Sequence, residues 1–338
     1  MKRAFFILYS LFFILYSCTK DYDKKAIEDR RIPATGFTVK NGALNFESAN
    51  TFFNTVELLN QMSESELDKW EEKIGFTSTR RKLNNIFNQI AQCQSDAEVS
   101  KILAENKDYV KKVEDRILPI MESALYASIT NTDGLFYVGG TAHKVVGNKI
   151  YIAKDLQAIN NTLLNNGNNN EVTIVEYFTQ SKLKSGNCGS SKTAWAATSD
   201  RKCDMELRTL CIPCKDCCGN IFYNYYVELH IYNYKKNIWG NWRGYQSTCF
   251  YKDIAFTVNV PVVTGFNGKS SIYYFTPKTY TIDYGESSSP WQHFSRSWQI
   301  GDQVQNSIIP DPTFIRVRGK AKNAGMNDVW AEVNCGNW

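Results

Sequence analysis

Histidine is scarce in this 338-residue chain, and motifs of known catalytic or cofactor sites are missing. None of the three histidines stands in an H-E-x-x-H metal motif, and no G-x-S-x-G turn of a serine hydrolase is present. Gly268-Lys269-Ser270 lacks the first glycine of a phosphate-binding loop, because Val263 stands at that position. The sequence therefore predicts no cofactor and no metal site, and it identifies no catalytic residue.

Long apolar runs are also rare, and the longest one lies at the N-terminus, from Ala4 to Tyr16. It is about 13 residues long, short of the roughly 20 that cross a bilayer. A basic start followed by a short apolar run predicts a secretory signal peptide over residues 1–17. The tetrapeptide 15–18 resembles the lipobox of bacterial lipoproteins, which implies lipid on the thiol of Cys18 and a membrane as partner.

The residues after Cys18 bear on where the anchored protein is displayed. Thr19-Lys20-Asp21-Tyr22-Asp23 is similar to the acidic signals of surface lipoproteins in Bacteroidota, which implies a lipid-anchored outer-membrane protein at the cell surface. The periplasmic face is the alternative. Loss of the signal peptide lowers the basic residues from 39 to 37 against 34 acidic ones, a net charge of +3. Nucleic-acid binding needs a concentrated basic face, so we expect no nucleic-acid partner.

Ten cysteines are present, and their setting predicts disulfides. Cys18 is assigned to the lipid, and Cys93 lies in a predicted helix. In an oxidising compartment an even set of eight indicates disulfide bonds, although 105 pairings are possible. Zinc bound by residues 211–218 is the alternative; it is disfavoured because the ligands would come from one tight turn with no histidine near. The eight are Cys188, Cys203, Cys211, Cys214, Cys217, Cys218, Cys249 and Cys335.

The apolar pattern divides the chain into a tether over residues 18–43, a helical domain over 44–130 and a β-rich domain over 135–338. Capping boxes at Ser63–Glu66 and Ser95–Glu98 predict two helix starts. A last helix is expected through Val110, Val113 and Ile117. Later segments are rich in β-branched and aromatic residues. From Ile221 to Ile231 every second residue is apolar or aromatic and forms one face, with Glu228 and His230 beside aromatic residues on the other. The predicted fold class is α+β, with a small N-terminal helical domain followed by an antiparallel β-sandwich or barrel-like domain.

A family resemblance covers the segment 44–80. Its pattern is similar to uncharacterised Bacteroidota surface lipoproteins of unknown function, whose later half also holds a Gly-rich hairpin and a terminal strand. The resemblance implies membrane display in an anaerobic, host-associated bacterium and carries no activity. The residues that carry it are Leu44-Asn-Phe46, Phe52-Phe53, Met62-Ser63, Glu66-Leu67, Trp70-Glu71, Gly75-Phe76 and Ser78, with Gly139-Gly140-Thr141 and Trp330-Ala-Glu-Val333 further on.

One tract has the composition of a ligand platform: Trp239, Trp242, Arg243 and Tyr245, separated by Gly and Asn. Flat rings beside polar groups suit stacking on the apolar faces of sugars. Burial of the rings in the β-rich domain is the alternative. We therefore expect a non-enzymatic binding or adhesion lipoprotein whose ligand is a glycan or a host or matrix protein. The alternatives are an envelope-anchored hydrolase of glycans or peptides, and an envelope assembly component.

Overall fold

The structure is a computed structural model of a mixed α+β protein with mainly antiparallel sheets, which confirms the predicted class at that level. The signal peptide, Cys18, Cys217, Cys218 and Trp239 lie outside the described residues. For residues 259–304 the structure describes the backbone alone. It describes residues 36–113, 116–165, 169–177, 188, 190–215, 219, 221–236, 240, 242–245, 247–259, 261–266, 269–274, 278–289, 293–304 and 313–336.

Six α-helices lie in the described ranges, and serines cap five of them. They are α1 (Ala49–Gln61), α2 (Glu64–Ile74), α3 (Thr79–Gln92), α4 (Asp96–Glu105), α5 (Ala124–Ile129) and α6 (Leu156–Asn165). The capping box predicted at Ser63 and Glu66 is complete, and Gly75 ends α2 at φ +68°. At the next predicted box Ser95 caps α4, but the Glu98 carboxylate accepts from the backbone of Gln94 instead.

The helix predicted through residues 110–117 is wrong. The chain forms a hairpin there, β3 (Val110–Val113) and β4 (Arg116–Pro119), in antiparallel register. The three- and four-residue spacing of apolar side chains indicated one buried helical face. In the structure Val110 is buried, Val113 is exposed and Ile117 is half-buried, so no such face exists. The backbone N–H of Ile120 donates to the carbonyl of Tyr109 and closes the base of the hairpin.

The first sheet joins residues from both sides of the helices. Its order is β1-β2-β5-β6-β7-β8, and β2 and β5 pair in parallel, with Asn45 opposite Tyr137. Strands from both sides of the domain boundary expected between residues 130 and 135 therefore belong to one hydrogen-bonded sheet. Its strands are β1 (Phe37–Lys40), β2 (Ala43–Phe46), β5 (Leu135–Val138), β6 (Thr141–Val146), β7 (Lys149–Ala153) and β8 (Thr173–Glu176). Phe37 packs 6.0 Å from Trp70, so the folded part begins before the expected end of the tether.

Two further sheets are formed by the second half of the chain. The second sheet has β9 (Ser191–Ala197), β10 (Arg201–Lys215), β11 (Ile221–Lys236) and β12 (Trp242–Gly244), and β17 (His293–Val304) also pairs with β11. The third sheet has β16 (Lys278–Ser289), β13 (Ser247–Asn259), β18 (Thr313–Asn323) and β19 (Ala331–Cys335). A separate hairpin consists of β14 (Pro261–Phe266) and β15 (Lys269–Tyr274).

The long strands β10 and β11 take part in two cores. One face of β11 carries Tyr225, Val227 and Leu229 into a cluster shared by the second and third sheets, which confirms the predicted alternation. Further along β10, Leu210 and Ile212 join the cluster formed by the helices and the first sheet. The two strands therefore hold both parts of the molecule together.

Candidate functional site

The face of β10 and β11 that points away from the shared core carries polar and aromatic side chains. The period-two alternation places every second residue there. We call this set the polar face of the second sheet. In register it pairs Lys202 with Tyr234, Asp204 with Tyr232, Glu206 with His230 and Arg208 with Glu228.

One end of the polar face is a fully buried network. The Glu228 carboxylate accepts a hydrogen bond from Ser123 Oγ at 3.1 Å. Its Oε2 lies 2.9 Å from His230 Nε2 and 3.3 Å from Arg208 Nη2. Burial lowers the pKa of His230 well below its usual range, which favours the neutral ring. A neutral imidazole in contact with this carboxylate donates its Nε2–H to it.

The same end is locked to the first half of the chain. Ser123 caps α5, and Arg208 Nη2 donates to the carbonyl of Glu122 at 2.7 Å. The Glu122 carboxylate pairs with Lys111 of β3 at 2.9 Å. Burial alone would lower the pKa of Arg208, but the neighbouring carboxylates, including Glu228, outweigh it and raise that pKa. The network is a water-excluded joint between two parts of the molecule, and its histidine has no access to a substrate.

The other end of the polar face is partly open to solvent, because Trp195 is exposed there while Lys202, Asp204 and Glu206 are half-buried. Trp195 of β9 stands opposite Asp204 in register, and it is 69% exposed. The ammonium of Lys202 lies 5.8 Å from the centre of the Trp195 ring, 5.1 Å from that of Tyr234 and 3.2 Å from Asp204. Burial raises the pKa of Asp204, although Lys202 opposes the shift. Next to it Glu206 is half-buried and accepts from Ser191 Oγ at 2.8 Å.

This open end combines three features of a sugar-binding surface. An exposed indole ring can stack on the apolar face of a sugar, and carboxylates and an ammonium beside it can bind hydroxyl groups. We call Trp195, Lys202, Asp204 and Glu206 the Trp195 site. The site was not among the residues predicted from the sequence, although the alternation Lys202-Cys-Asp204-Met-Glu206-Leu-Arg208 indicates charged side chains on one strand face.

The tract proposed from the sequence lies at the edge of the same sheet. Trp242 is half-buried on β12, with the Lys236 ammonium 4.9 Å from its ring centre. Arg243 forms an ion pair with Asp96 at the start of α4. Tyr245 is half-buried, and Arg201 lies 5.2 Å from its ring centre. Each described member of the tract is thus already in contact with a charged group of the same chain.

Two of the three histidines, His143 and His230, are fully buried. His143 Nδ1 lies 3.0 Å from the Thr141 carbonyl, and its Nε2 accepts from the backbone N–H of Lys215 at 3.1 Å. The ring stacks on Phe136 at 4.8 Å, and burial lowers its pKa to about 4. His143 therefore ties the first sheet to β10. The third, His293, lies where only the backbone is described.

Among the described cysteines, Cys188 and Cys335 form a disulfide, which agrees with the predicted use of the late cysteines in disulfides, whose pairing the sequence left open. Cys203 and Cys249 are buried thiols. Cys211 packs against the core of the second and third sheets, and Cys214 lies in the other core. These two cysteines of the candidate zinc knuckle thus point to opposite faces of β10. Within the described ranges no group of three or more His, Cys, Asp or Glu side chains could hold a metal ion.

Comparisons with known proteins give little. No protein-family profile matches the chain, and no curated protein matches it. A DUF4848 family protein from Bacteroides thetaiotaomicron is a weak structural neighbour, with 14% identity and a TM-score of 0.30 over 88% of this chain and 100% of its own. A likeness at this level carries no argument about function. Among the described residues no helix is long and apolar enough to span a membrane.

Proposed function

We propose that this protein is a lipid-anchored, surface-exposed binding lipoprotein without catalytic activity, and that it binds a glycan at the Trp195 site. The observation that carries the proposal is the exposed Trp195 ring beside Lys202 and Asp204. At this exposure the indole ring is accessible to a ligand. Polar groups placed around such a ring give orientation as well as affinity.

The rigid surroundings of the site support binding. Tyr232 and Tyr234 are buried side chains on the same face, and the Glu228 network fixes the far end of the same strands. A platform whose backbone is already ordered loses little conformational entropy when a ligand binds. The Trp195 site is thus preorganised by β10 and β11.

The lipid anchor and the display at the cell surface belong to the same proposal. They are supported by the signal peptide and by the resemblance of residues 15–18 to a lipobox. Seventeen residues separate Cys18 from Gly36, a span of at most roughly 60 Å when fully extended. The membrane is the partner through Cys18, and the periplasmic face of the outer membrane is the alternative location.

The finer architecture is also a proposal: a helical N-terminal part followed by an antiparallel β-sandwich. The second and third sheets share one buried cluster, in which Leu207 and Leu229 meet Phe256 and Val317. Sheets that pack face to face through such a cluster are the defining feature of a sandwich.

A hydrolase acting on glycans is the second candidate, because two carboxylates stand together at the site. Asp204 and Glu206 are two residues apart on one strand face, about 7 Å between Cα atoms by the rise of a strand. Glycoside hydrolysis uses a pair of carboxyl groups, one as the acid and the other as the nucleophile or base. The raised pKa of Asp204 would suit a general acid.

The test compares two tryptophan variants of the full-length chain in neutral detergent on a glycan array. Trp195→Ala should weaken binding at least about tenfold, equal to about 1.4 kcal/mol, with the thermal midpoint nearly unchanged. Trp242→Ala is the matched control. If Trp242→Ala abolishes binding and Trp195→Ala does not, the site lies in the 239–245 tract. If the wild type cleaves a bound glycan and Asp204→Asn does not, the result would support the hydrolase and contradict the binding module without catalytic activity.

A further inference from the structure

The core shared by the second and third sheets contains two buried cysteines that belong to different sheets. Cys203 lies on β10 and Cys249 lies on β13, and both side chains are fully buried. Both residues carry a thiol. Because the core excludes solvent, each thiol in the folded protein can react only with a group inside the same core.

The contacts around the two cysteines place them opposite each other. Cys203 pairs in register with Asn233 on the second sheet, and Cys249 pairs with Asn323 on the third. Asn233 Nδ2 crosses to the third sheet and donates to Cys249 Sγ at 2.9 Å. Asn323 Nδ2 crosses in the other direction and donates to the Lys202 carbonyl at 3.1 Å. Each asparagine thus joins the pair that contains one cysteine to the pair that contains the other.

The two sheets approach each other closely in this part of the core. Cα atoms of β10 and β18 come within 8 Å of one another, and so do Cα atoms of β11 and β13. Sheets that pack face to face are usually about 10 Å apart. Gly319 of β18 permits the close approach, since a Cβ there would lie 2.9 Å from Met205 Cε. A disulfide needs Cα atoms about 4.4–6.8 Å apart, so it can join two sheets only where they are this close.

The pKa values of the two thiols are consistent with their proximity. Burial raises the pKa of Cys203 well above its usual range, and the neighbouring Cys249 thiol adds to the rise. Burial also raises the pKa of Cys249, to about 12. The thiolate is the form that attacks a disulfide, so neither thiol is reactive once the core has closed. A bond between them would therefore form while the chain folds, and the closed core would then protect it from reductants.

The other cysteines of β10 are poorly placed to bond with either thiol. By the rise of a strand, Cys211 lies about 27 Å along β10 from Cys203, and therefore far from Cys249 as well. Cys214 points into the other core. The disulfide Cys188–Cys335 already uses two further cysteines of the late set. Among the described thiols, Cys203 and Cys249 are the pair that the fold brings together.

We infer that Cys203 and Cys249 form a disulfide between the second and third sheets in the exported protein. The inference rests on the export that the signal peptide predicts, because disulfides form and persist in oxidising compartments. Two S–H bonds break and one S–S bond forms. The two electrons and two protons pass to the disulfide of a protein thiol oxidase, which becomes a dithiol.

The bond would fix the strand that carries the Trp195 site. Cys203 stands between Lys202 and Asp204 on β10, and its side chain points into the core while theirs lie on the polar face. A covalent link at this position ties the open end of the polar face to the third sheet, whereas the Glu228 network ties the other end to α5. This structural role does not depend on whether the Trp195 site binds a glycan.

One experiment separates a disulfide from two thiols that only pack together. Cys203→Ala, Cys249→Ala and the double variant are unfolded by heat without reductant. If a bond joins the two residues, either single variant already removes it, so the double variant should lower the thermal midpoint little more than the larger single effect. Two separate effects that add in the double variant would overturn the inference. Peptide mapping of the wild type needs no variant, so it decides if one of these chains does not fold.

For the mapping, the exported protein is unfolded without reductant, its thiols are alkylated and it is cut by a protease. The peptides that contain Cys203 and Cys249 should be recovered linked, with Cys93, a half-buried thiol at the end of α3, as the alkylated control. Alkylated Cys203 and Cys249 beside a linked Cys188–Cys335 would refute the inference alone. Alkylation at all four positions would refute it together with the proposed export, and either thiol linked to another cysteine would also refute it.

Discussion

The disulfide between Cys188 and Cys335 should be a large contributor to stability. It joins a residue just before β9 to the last residue of β19, and both ends pack with the core of the second and third sheets. Without it the unfolded chain would gain the freedom of a loop closed over 147 residues, worth about 5 kcal/mol in the chain-entropy treatment. We therefore expect Cys188→Ala/Cys335→Ala to lower the free energy of unfolding by about 2–5 kcal/mol.

The measurement is urea unfolding and thermal unfolding of the variant beside the wild type. For a domain of this size each kcal/mol corresponds to about 2–4 °C, so the thermal midpoint should fall by about 4–20 °C. Cys93→Ala is the control, because Cys93 is a half-buried thiol at the end of α3 and closes no loop. It should change the free energy by about 0.5 kcal/mol or less. Reductant should lower the stability of the wild type at least as much as the double variant does, and a chelator should not.

A loss below about 1 kcal/mol in Cys188→Ala/Cys335→Ala would refute the reasoning from loop closure. It would mean that the unfolded chain is already restricted in that segment. A thermal midpoint that falls with chelator and not with reductant would instead support a zinc site in the 211–218 segment.

Three further changes test the anchor, the buried joint and the response to pH. Cys18→Ser should remain uncleaved and incorporate no labelled palmitate; normal labelling would exclude the lipobox. Glu228→Ala should cost about 3–5 kcal/mol in urea unfolding, because it removes the fully buried carboxylate that pairs with the Arg208 charge, and the exposed Glu176→Ala should cost under about 1 kcal/mol. Because burial lowers the pKa of His143, the free energy of unfolding should fall by up to about 3 kcal/mol between pH 6.5 and 4. In this range the His143 ring binds a proton in the unfolded chain and does not bind one in the folded chain. His143→Gln should reduce this pH dependence of the free energy of unfolding. An unchanged dependence in the variant would contradict the prediction.

Local signals in the sequence predicted local structure well. The Ser63 capping box and Gly75 mark the two ends of α2, as expected. The alternation of residues 221–234 predicted which side of β11 is buried in the shared core and placed Glu228 and His230 on the other. Such features depend on hydrogen bonds and side-chain spacing within a few residues, which are the same in any tertiary context.

The hairpin at residues 110–119 could not be predicted from the local sequence pattern. Apolar residues three and four apart suit a helix, but the segment pairs with itself as two strands instead. Spacing alone cannot decide between the two, because the choice depends on which side chains the rest of the fold covers. For the same reason the parallel pairing of β2 with β5 could not be predicted from segments so far apart in the chain.

The candidate site follows the same division. The sequence by itself determined that Lys202, Asp204, Glu206 and Arg208 alternate on one strand face, because the side-chain period of a strand is two. Only the tertiary structure decided their different roles. Ser123 and Glu122 cover the Arg208 end and exclude water from it, whereas the other end lies beside an exposed Trp195. Burial depends on long-range packing, and burial separates a structural charge from one that can meet a ligand.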